Sequence, residues 1–524
     1  MLRKIKTESL DRILHQQVKN SNYVNFRHHL NGLEIQREKL MKKKIYLIFL
    51  IILCCLCITG CEKSQDKNSI VMEDINAFRN YFENGYVFYD EINRKATINF
   101  DSKKILREYN KNFTWRKKKG LEKNCINGIN QDALLVPLWN FLYDLDIKDG
   151  HLGIRTFERN WKLSKQESVY SSEYFFEKKN GNYYLLESPQ KNLIGKKYTG
   201  NISDLKKIIK NNQELYFFGP SLTDGKEYEI LALERKNYKV PISLIDSAFN
   251  DKAILRLEET DDSLYIRAGS FNIIKGSDEE QLFMREINKI PALEQGKKYI
   301  VLDLRGNSGG YTYYPKELVA AIYNRRKSEK QREDLWRFLN KADMGCVELQ
   351  SSIIAQKKYE TNIKNHQSDE IIESSRLEAE NQKNNNKRYY IGLENIAPNK
   401  LPQDTGQRID ATLVILIDYY TASNAEHCIG YLYMMNKNNI ILVGQNSSGT
   451  LISGNPIQYE LPNSKLIVSF ASTSYKNTVL LQCIEQWKGE TYGFYPDYWC
   501  TETNVSETVG FITHDKKLIE QIDF

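Results

Sequence analysis

Short apolar runs alternate with helical segments beyond about residue 250, and this alternation is the feature that most constrains the fold. Apolar runs of a few residues bounded by turn residues are typical of buried strands, and amphipathic segments of ten or more residues are typical of helices. The strand-like runs are AILRLE, LYIRAGSF, KYIVLDL and ATLVILI, and YPKELVAAIYN is a helical segment among them. The pattern predicts an α/β core over residues 248–524.

The preceding sequence differs in texture. Residues 62–165 contain INAFRNYFENGYVFYDEI and DALLVPLWNFLYDLDI, whose apolar spacing predicts an N-terminal helical domain. Residues 166–247 hold NYYLLES, ELYFFG and YEILALE, broken by NGN and DGKE, and predict a small β-rich module. A stretch at about 325–400 is polar on every face, which is typical of a solvated helical insertion.

The net charge does not indicate a nucleic-acid partner. The chain has a formal charge of +7, but residues 1–60 hold eleven Lys/Arg and four Asp/Glu, which leaves 63 basic and 63 acidic residues in the remainder. A neutral body presents no field for a polyanion.

The excess charge lies in a segment that resembles a secretion signal. Residues 41–61 read MKKKIYLIFLIILCCLCITGC, with fourteen consecutive apolar residues, 45–58. This run is too short to span a bilayer core of about 30 Å but fits a signal peptide. ITGC resembles the bacterial lipobox, which implies lipid attachment at Cys61. An ordinary membrane anchor or a buried helix is the alternative.

Residues 1–40 do not fit a signal peptide, so we expect Met41 to be the true start and residues 1–40 to be a gene-model extension.

The other cysteines indicate no metal site. Cys125, Cys346, Cys428, Cys483 and Cys500 follow the predicted leader, and their spacing matches no zinc motif. A disulfide between Cys483 and Cys500 stays open.

Ser423 lies in TASNAE, directly after the run ATLVILI. With Glu426 three residues on, SNAE fits a capping box, in which Ser and Glu satisfy free N–H groups at a helix start. The same position suits a nucleophile, because the N–H groups and dipole of a helix N-terminus stabilise an oxyanion. The motif alone leaves both interpretations open.

DLRGNSGG, residues 303–310, follows the strand-like run KYIVL. A Gly-rich turn there brings backbone N–H groups close to a ligand, either a phosphate or an oxyanion. The sequence lacks GK followed by Ser or Thr, which excludes a P-loop. A purely structural turn is the alternative.

The order of these motifs resembles that of the carboxy-terminal-processing peptidase family, which includes the tail-specific proteases and the core of tricorn protease. YIRAGSF, DLRGNSGG, TASNAE, ILVGQNSSGT and GETYGFYPD follow one another as in that family, over roughly residues 250–500. The resemblance implies a crotonase-like spiral of ββα units and a serine peptidase with Ser423 as nucleophile.

One departure from the family pattern concerns the base. Tail-specific proteases use a Ser-Lys dyad whose lysine aligns with Thr450, and no lysine lies between Lys437 and Lys465. An unactivated serine is a poor nucleophile at neutral pH, so another group must take its proton.

Four histidines follow the leader: His151, His366, His427 and His514. His366 lies in the charged insertion and His514 in a polar tail. His427 shares a helix face with Ser423, but it would lie behind a serine that points toward substrate. The DGH at His151 resembles the segment that carries the general base in the tricorn-like branch, and this resemblance implies that His151 activates Ser423.

The same resemblance implies the supporting residues. It places a hydrogen-bonding glutamate at Glu490, with Glu485 as the alternative, and an oxyanion hole at the N–H groups of Asn424 and of Gly309 or Gly310. The serine that precedes the histidine in tricorn is Gly150 here, so one supporting hydroxyl is missing.

The β-rich module occupies the place of a PDZ-like domain in many relatives, which would capture peptide by strand addition. The sequence thus predicts a lipid-anchored peptidase of the cell envelope that acts on peptides or proteins and requires no metal, nucleotide or other cofactor. A non-catalytic binding protein on the same fold, as in interphotoreceptor retinoid-binding protein, is one alternative. A crotonase-type acyl-CoA enzyme is the other, which the export signal and the TASNAE serine disfavour. The oligomeric state stays open.

Overall fold

The computed structural model describes residues 61–522, except for 122, 124, 157–159, 163–167, 223–225, 246–248, 250, 252, 324–327, 366, 386–387, 393–408, 437 and 501–503, and except for the side chains of 61–67, 160–162, 436 and 483. The predicted leader, the Cys61 side chain and His366 therefore lie outside the described residues. Within the described part, no helix is both long enough and apolar enough to cross a membrane.

The α-helices of the described residues are, in chain order, α1 Cys61–Gly85, α2 Tyr89–Lys95, α3 Ser102–Lys118, α4 Gln131–Asp144, α5 Asp278–Ile287, α6 Ile290–Leu293, α7 Tyr313–Ile322, α8 Glu329–Ala342, α9 Ser352–Lys364, α10 Asp369–Asn385, α11 Asn424–Asn436, α12 Val479–Cys483, α13 Val505–Thr513 and α14 Lys516–Gln521.

The strands are, in chain order, β1 Cys125–Ile126, β2 Ile129–Asn130, β3 Gly153–Arg155, β4 Asn160–Lys162, β5 Ser168–Ser171, β6 Phe175–Lys179, β7 Asn182–Glu187, β8 Leu205–Lys210, β9 Gln213–Phe218, β10 Ser221–Leu222, β11 Tyr228–Leu233, β12 Lys236–Pro241, β13 Ser243–Leu244, β14 Leu255–Glu259, β15 Ser263–Ala268, β16 Tyr299–Asp303, β17 Val347–Gln350, β18 Tyr389–Gly392, β19 Thr412–Ile417, β20 Ile440–Gly444, β21 Ser453–Glu460, β22 Ile467–Ser474 and β23 Tyr498–Trp499.

The chain divides into two compact units. The first comprises the residues up to Ser164 together with Glu348–Ile391 and Asn455–Ser474, and the second comprises Lys165–Val347, Gly392–Gly454 and Tyr475–Phe524. Each unit is assembled from separate stretches of sequence.

The first unit packs helices against a sheet with the strand order β18-β17-β22-β3-β4, in which β3 is antiparallel to both β22 and β4, and β21 also pairs with β22. Aromatic rings fill its core. Phe78 of α1 lies with its ring centroid 6.4 Å from that of Phe82 and 6.0 Å from that of Phe470 in β22. Asp74 of α1 accepts hydrogen bonds from the N–H groups of Asn463 and Ser464, each at 2.7 Å, and so anchors the turn between β21 and β22.

The second unit is built on a six-stranded sheet with the order β14-β15-β16-β19-β20-β23. β14 is antiparallel to β15, and the other neighbours are parallel. The predicted strands KYIVL and ATLVILI are confirmed as β16 and β19. Residues 413–417 of β19 are all buried, as the continuous apolar run indicated.

Parallel pairing places the carboxyl ends of β16 and β19 side by side, with Asp303 opposite Leu416. Ligand sites of open parallel sheets lie at such strand ends. The Gly-rich loop after β16 and the turn after β19 therefore leave the sheet at the same edge.

The region 166–247 belongs to the second unit and contains the sheet β7-β6-β9-β8, the sheet β10-β5-β13 and the hairpin β11-β12. Two short 3-10 helices, Lys191–Leu193 and Ile202–Asp204, accompany them, and the described residues of this region include no α-helix. Tyr174, Phe176 and Phe218 contribute to its own buried core.

The Cys483–Cys500 disulfide, which the sequence left open, does not form. Cys500 is a free, buried thiol whose Sγ donates to Thr508 Oγ1 at 3.6 Å. It faces α13 within a small apolar cluster, so burial and not oxidation explains its place.

Candidate active site

One buried carboxylate shapes the turn that follows β19. Asp418 Oδ1 accepts hydrogen bonds from the N–H groups of Gly306, Tyr420 and Thr421 at 2.9–3.0 Å. The Thr421 hydroxyl continues the link by donating to Leu304 O at 3.0 Å. The Gly-rich loop after β16 and the turn after β19 are thus joined into one structure.

Ser423 lies between this turn and α11 in a left-handed backbone conformation, with a φ of +53°. That conformation costs a residue with a side chain about 1–2 kcal/mol, so surrounding contacts must hold it. The Ser423 N–H donates to Thr450 Oγ1 at 2.6 Å, and its carbonyl oxygen lies 3.2 Å from His427 Nδ1. Ser423 is therefore held through its backbone.

The capping-box interpretation of SNAE is wrong. In a capping box the glutamate carboxylate would accept the N–H of the serine, but the Ser423 N–H donates to Thr450 instead. Glu426 is fully buried and turns to the loop 447–450. A residue three positions into a helix can face either the helix start or a neighbouring loop, and the tertiary packing has selected the loop.

Glu426 binds this loop through four hydrogen bonds. Its carboxylate accepts from Ser447 Oγ at 2.5 Å, Gly449 N at 2.8 Å, Thr450 N at 2.7 Å and Thr450 Oγ1 at 2.8 Å. Burial raises the pKa of Glu426, and the donors oppose that rise. Because all four partners donate, this bonding pattern fits the ionised carboxylate.

The roles of Glu426 and Thr450 were missed from the sequence. Thr450 was noted only as the residue in place of a lysine, and Glu426 only as a cap. One signal was present: α11 reads NAEHCIGYLYMMN, and a lone acidic residue in so apolar a helix is expected to be buried with specific partners.

Gly309 packs against the Ser423 turn more closely than a side chain would permit. A Cβ on Gly309, whose φ is +92°, would lie 2.8 Å from Asn424 N and 2.9 Å from both Ala422 O and Ser423 Cβ. The absence of a side chain at Gly309 therefore permits the close approach of the Gly-rich loop to the start of α11. The Gly309 N–H itself donates to Asn307 Oδ1 at 2.9 Å, so this predicted oxyanion donor is already bonded here.

Asn424 supplies the second predicted oxyanion donor. It is the first residue of α11, and the N–H groups of a first helical turn have no partner within the helix. The helix N-terminus also carries partial positive charge. The Asn424 side chain donates to Gly310 O at 2.5 Å and so fixes the helix start to the Gly-rich loop. The role of the Asn424 N–H as an oxyanion donor stays a prediction.

The Gly-rich loop begins at a fully buried ion pair. Asp303 accepts from Arg305 Nε at 3.0 Å, from Arg305 Nη2 at 2.7 Å and from the Tyr265 hydroxyl at 2.9 Å. Burial disfavours the charge on Asp303, but the guanidinium groups of Arg305 and Arg267 together with the Arg305 N–H outweigh burial and hold the pKa of that carboxyl below its ordinary value. The loop therefore leaves β16 from a rigid point.

Glu490 is buried and joins the segment that follows Thr450. Its carboxylate accepts from the Ile452 N–H at 2.8 Å and from Ser453 Oγ at 2.9 Å. Glu485, the alternative considered from the sequence, is exposed. Glu490 is thus the buried one of the two, and its supporting role stays a prediction.

The histidines are placed as follows. His151 lies in the first unit, in the turn before β3, where its backbone N–H donates to Asp149 Oδ1 at 2.8 Å. Since Ser423 belongs to the second unit, the pairing of His151 with Ser423 stays a prediction. His514 is exposed at the end of α13.

His427 is buried in the second unit and faces the backbone of Ser423. Its Nδ1 lies 3.2 Å from the Ser423 carbonyl oxygen, and its ring packs against Tyr431 and Tyr475. Burial lowers the pKa of His427. A neutral ring whose Nδ1 faces a carbonyl acts as a donor to that carbonyl, which is a structural role.

Comparison with known families gives one match in this region. The model of peptidase family S41 matches residues 262–498. These residues include the Gly-rich loop, Ser423, Thr450 and Glu490. The match covers less than half of the chain and gives these residues a likeness to the S41 peptidases. No curated protein matches the chain.

Solved structures give weaker likenesses. Mature CPAF complexed with lactacystin has a TM-score of 0.38 at 10% identity, covering 87% of this chain and 98% of that chain. The photosystem II D1 C-terminal processing protease has a TM-score of 0.31 at 13% identity, covering 86% and 98%. Tricorn protease has a TM-score of 0.30 at 11% identity, covering 87% and 37%. TM-scores this low do not establish a shared fold.

Proposed function

We propose that the protein is a serine endopeptidase of the tricorn-like branch, which hydrolyses peptide bonds through a Ser-His mechanism. The observation that carries the proposal is the placement of Ser423. It follows a buried strand, adopts a left-handed backbone at the start of α11, and adjoins Gly309, where any side chain would collide with the Ser423 turn. When a serine at a helix N-terminus attacks a carbonyl, the oxyanion that forms lies beside the free N–H groups of the helix, which stabilise it.

In this mechanism His151 takes the hydroxyl proton as Ser423 Oγ bonds to the carbonyl carbon of the substrate. The Asn424 N–H holds the oxyanion, and the Gly309 N–H joins it when its present bond is released. The peptide C–N bond then breaks, and His151 passes the proton to the leaving amine. Water, deprotonated by His151, hydrolyses the acyl ester and restores Ser423. Glu490 supports the segment that borders the site.

Thr450 does not serve as the base. Its hydroxyl proton is donated to Glu426 and its oxygen accepts the Ser423 N–H. The proton and one lone pair of the hydroxyl are therefore engaged with groups other than Ser423 Oγ, and a neutral hydroxyl is in any case far too weak a base to take the serine proton. This supports a histidine-dependent branch of the family.

The cellular setting rests on the leader. Three lysines, a short apolar run and ITGC ending at Cys61 support export and lipid anchoring at the extracytoplasmic face of the cell envelope. Several acyl chains hold a protein at a membrane far more firmly than one. Peptides or proteins of the envelope would then be the substrates.

The finer fold is also part of the proposal. The parallel sheet β15-β16-β19-β20-β23 with its intervening helices supports a crotonase-like spiral of ββα units. The strands between residues 166 and 247 support a module that captures peptide by strand addition, as PDZ domains do.

A fluorophosphonate probe and a fluorogenic peptide library test the proposal on the purified protein. We expect the wild type to be labelled at Ser423 and to hydrolyse peptide. Ser423→Ala and His151→Ala should each abolish hydrolysis, and the double variant should cost little more than either, because the two residues act as a unit. Ser328, an ordinary N-cap whose side chain accepts the Gln331 N–H, gives the matched control: Ser328→Ala should keep full activity.

Three outcomes would contradict the proposal. A wild-type protein that binds peptide without labelling or hydrolysis would be a binding protein on this fold. Retained activity in His151→Ala together with lost activity in His427→Ala would move the base to His427. Labelling at a serine other than Ser423 would displace the site altogether.

A further inference from the structure

Two contacts hold the backbone of Ser423. Its N–H donates to the hydroxyl of Thr450, 27 positions later in the sequence, and its carbonyl oxygen lies beside His427 Nδ1. Thr450 is buried, with 2% of its surface exposed, and so is its partner Glu426. A buried hydroxyl bonded to the backbone of a strained residue limits how that residue can move.

We propose that Thr450, oriented by Glu426, is a positioning residue that keeps Ser423 in its left-handed conformation and so aims the serine hydroxyl at substrate. This inference rests on the proposed function of Ser423 as nucleophile. Thr450 touches neither the reacting hydroxyl nor the oxyanion, and it acts only through the Ser423 N–H.

The orientation follows from the bonding pattern. The Thr450 hydroxyl has one proton, which it donates to Glu426 Oε2 at 2.8 Å, so only its lone pairs are directed to Ser423. The Ser423 N–H meets one of them at 2.6 Å. Glu426 accepts from the Thr450 N–H as well, at 2.7 Å, which fixes both ends of the threonine. The carboxylate thereby determines that Thr450 accepts, and does not donate, at Ser423.

The same bond selects the oxyanion donor. Because the Ser423 N–H is occupied by Thr450, it is not available to an oxyanion, whereas the Asn424 N–H belongs to the first turn of α11 and has no partner within the helix. If Thr450 released Ser423, the residue could relax toward the right-handed helical conformation. This would move its hydroxyl and rotate the neighbouring N–H groups together.

The test compares Thr450→Val, which replaces the hydroxyl by a methyl of similar size, with Thr450→Ser, which keeps the hydroxyl. Thr508→Val is the matched control, since Thr508 is a buried threonine of α13 whose hydroxyl donates to Asn504 O at 2.8 Å. The first measurement is the rate of fluorophosphonate labelling at Ser423, followed by kcat and KM on a peptide. The second is hydrogen exchange of the segment 421–424, which requires no activity.

We expect Thr450→Val to lower the labelling rate and kcat by about 10²-fold with little change in KM, because small displacements of a nucleophile have effects of that size. Exchange over 421–424 should rise by about tenfold or more, a change in opening equilibrium that follows from a lost hydrogen bond of about 1.4 kcal/mol or more. Thr450→Ser should restore the labelling rate to within about threefold of the wild type, since the hydroxyl is what the proposal requires. Thr508→Val should change neither readout at 421–424.

The results separate this inference from the proposed function. If the wild type is labelled and folded Thr450→Val is labelled at the same rate with unchanged exchange at 421–424, the positioning role is wrong and the peptidase stands. If the wild type is not labelled, the proposed function fails, and the exchange data alone decide whether Thr450 holds the turn. Should the valine variant not fold, Thr450→Ala removes the same hydroxyl without adding volume, and the same comparison applies.

Discussion

Gly309→Ala gives a direct test of the space beside Ser423. The new Cβ would stand 2.8 Å from Asn424 N and 2.9 Å from Ala422 O and Ser423 Cβ. Two of these atoms belong to the backbone, so the contacts are relieved only if the Ser423 turn shifts. Such a shift would displace the Asn424 N–H, which is the proposed oxyanion donor.

Gly276→Ala separates the collision from backbone strain. Gly276 has a φ of +83°, close to the +92° of Gly309, but a Cβ there meets nothing within 4 Å. Both alanines incur the cost of the left-handed region, about 1–2 kcal/mol. Overpacking adds about 1–3 kcal/mol at Gly309 alone. We therefore expect unfolding free energies lower by about 1–2 kcal/mol for Gly276→Ala and about 2–5 kcal/mol for Gly309→Ala.

Urea denaturation measures the two stabilities, and peptide hydrolysis at a temperature where both variants are folded measures the site. Gly309→Ala should lose about 10²–10³-fold in kcat, the cost of one oxyanion donor, and Gly276→Ala should keep wild-type kcat. Equal stability of the two variants, with wild-type hydrolysis in Gly309→Ala, would refute the close approach and the oxyanion site together.

Three further predictions concern other parts of the chain. Burial lowers the pKa of His427, so between that pKa and about 6.5 the histidine is protonated in the unfolded chain and neutral in the folded one. The free energy of unfolding should therefore fall as pH drops below about 6.5, and His427→Gln should remove this part of the pH dependence in urea titrations. Asp303→Asn leaves the Arg305 guanidinium buried without its countercharge and should cost about 3–5 kcal/mol by the same assay, with a loss below 1 kcal/mol contradicting the buried pair. Cys61→Ala should move the protein from the membrane fraction to a soluble or unprocessed form, and unchanged fractionation would count against lipidation.

The central sheet was predictable because β16 and β19 are buried on both faces, and a strand so buried has a continuous apolar run. The first unit was harder to predict. Its sheet joins β3, β17 and β22, which lie far apart in the sequence, and local patterns contain no information about which distant strands pair.

The candidate site divides in the same way. The local sequence placed Ser423 after a strand and at the start of a helix, and the order of the motifs implied that it is the nucleophile, which stays a prediction. Glu426 was assigned to a helix cap, because capping and loop binding call for the same residue at the same spacing, and only tertiary packing decides between them. The sequence draws attention to Thr450 only because a lysine aligns with it in tail-specific proteases. The positioning role proposed for it depends on two hydrogen bonds to residues distant in the sequence.

The discontinuous first unit has a consequence for the order in which the chain can fold. Its sheet places β22 between β17 and β3, and Ile467 pairs with Arg155, 312 positions earlier. The middle strand of the sheet is therefore the last of its strands to be synthesised. Until it emerges, Phe78 and Phe82 of α1 have their contacts with Phe141 but lack Phe470 of that strand, on which both also pack.

A chain that emerges N-terminus first would thus expose the apolar surface that packs on Phe470 until β22 follows late in synthesis or export. Contacts this distant close slowly, and exposed apolar faces associate with one another in the meantime. The late strand acts as a check on completeness, because a chain truncated before residue 467 lacks the strand on which its first helices pack. All three stretches of the first unit are therefore needed to complete its sheet.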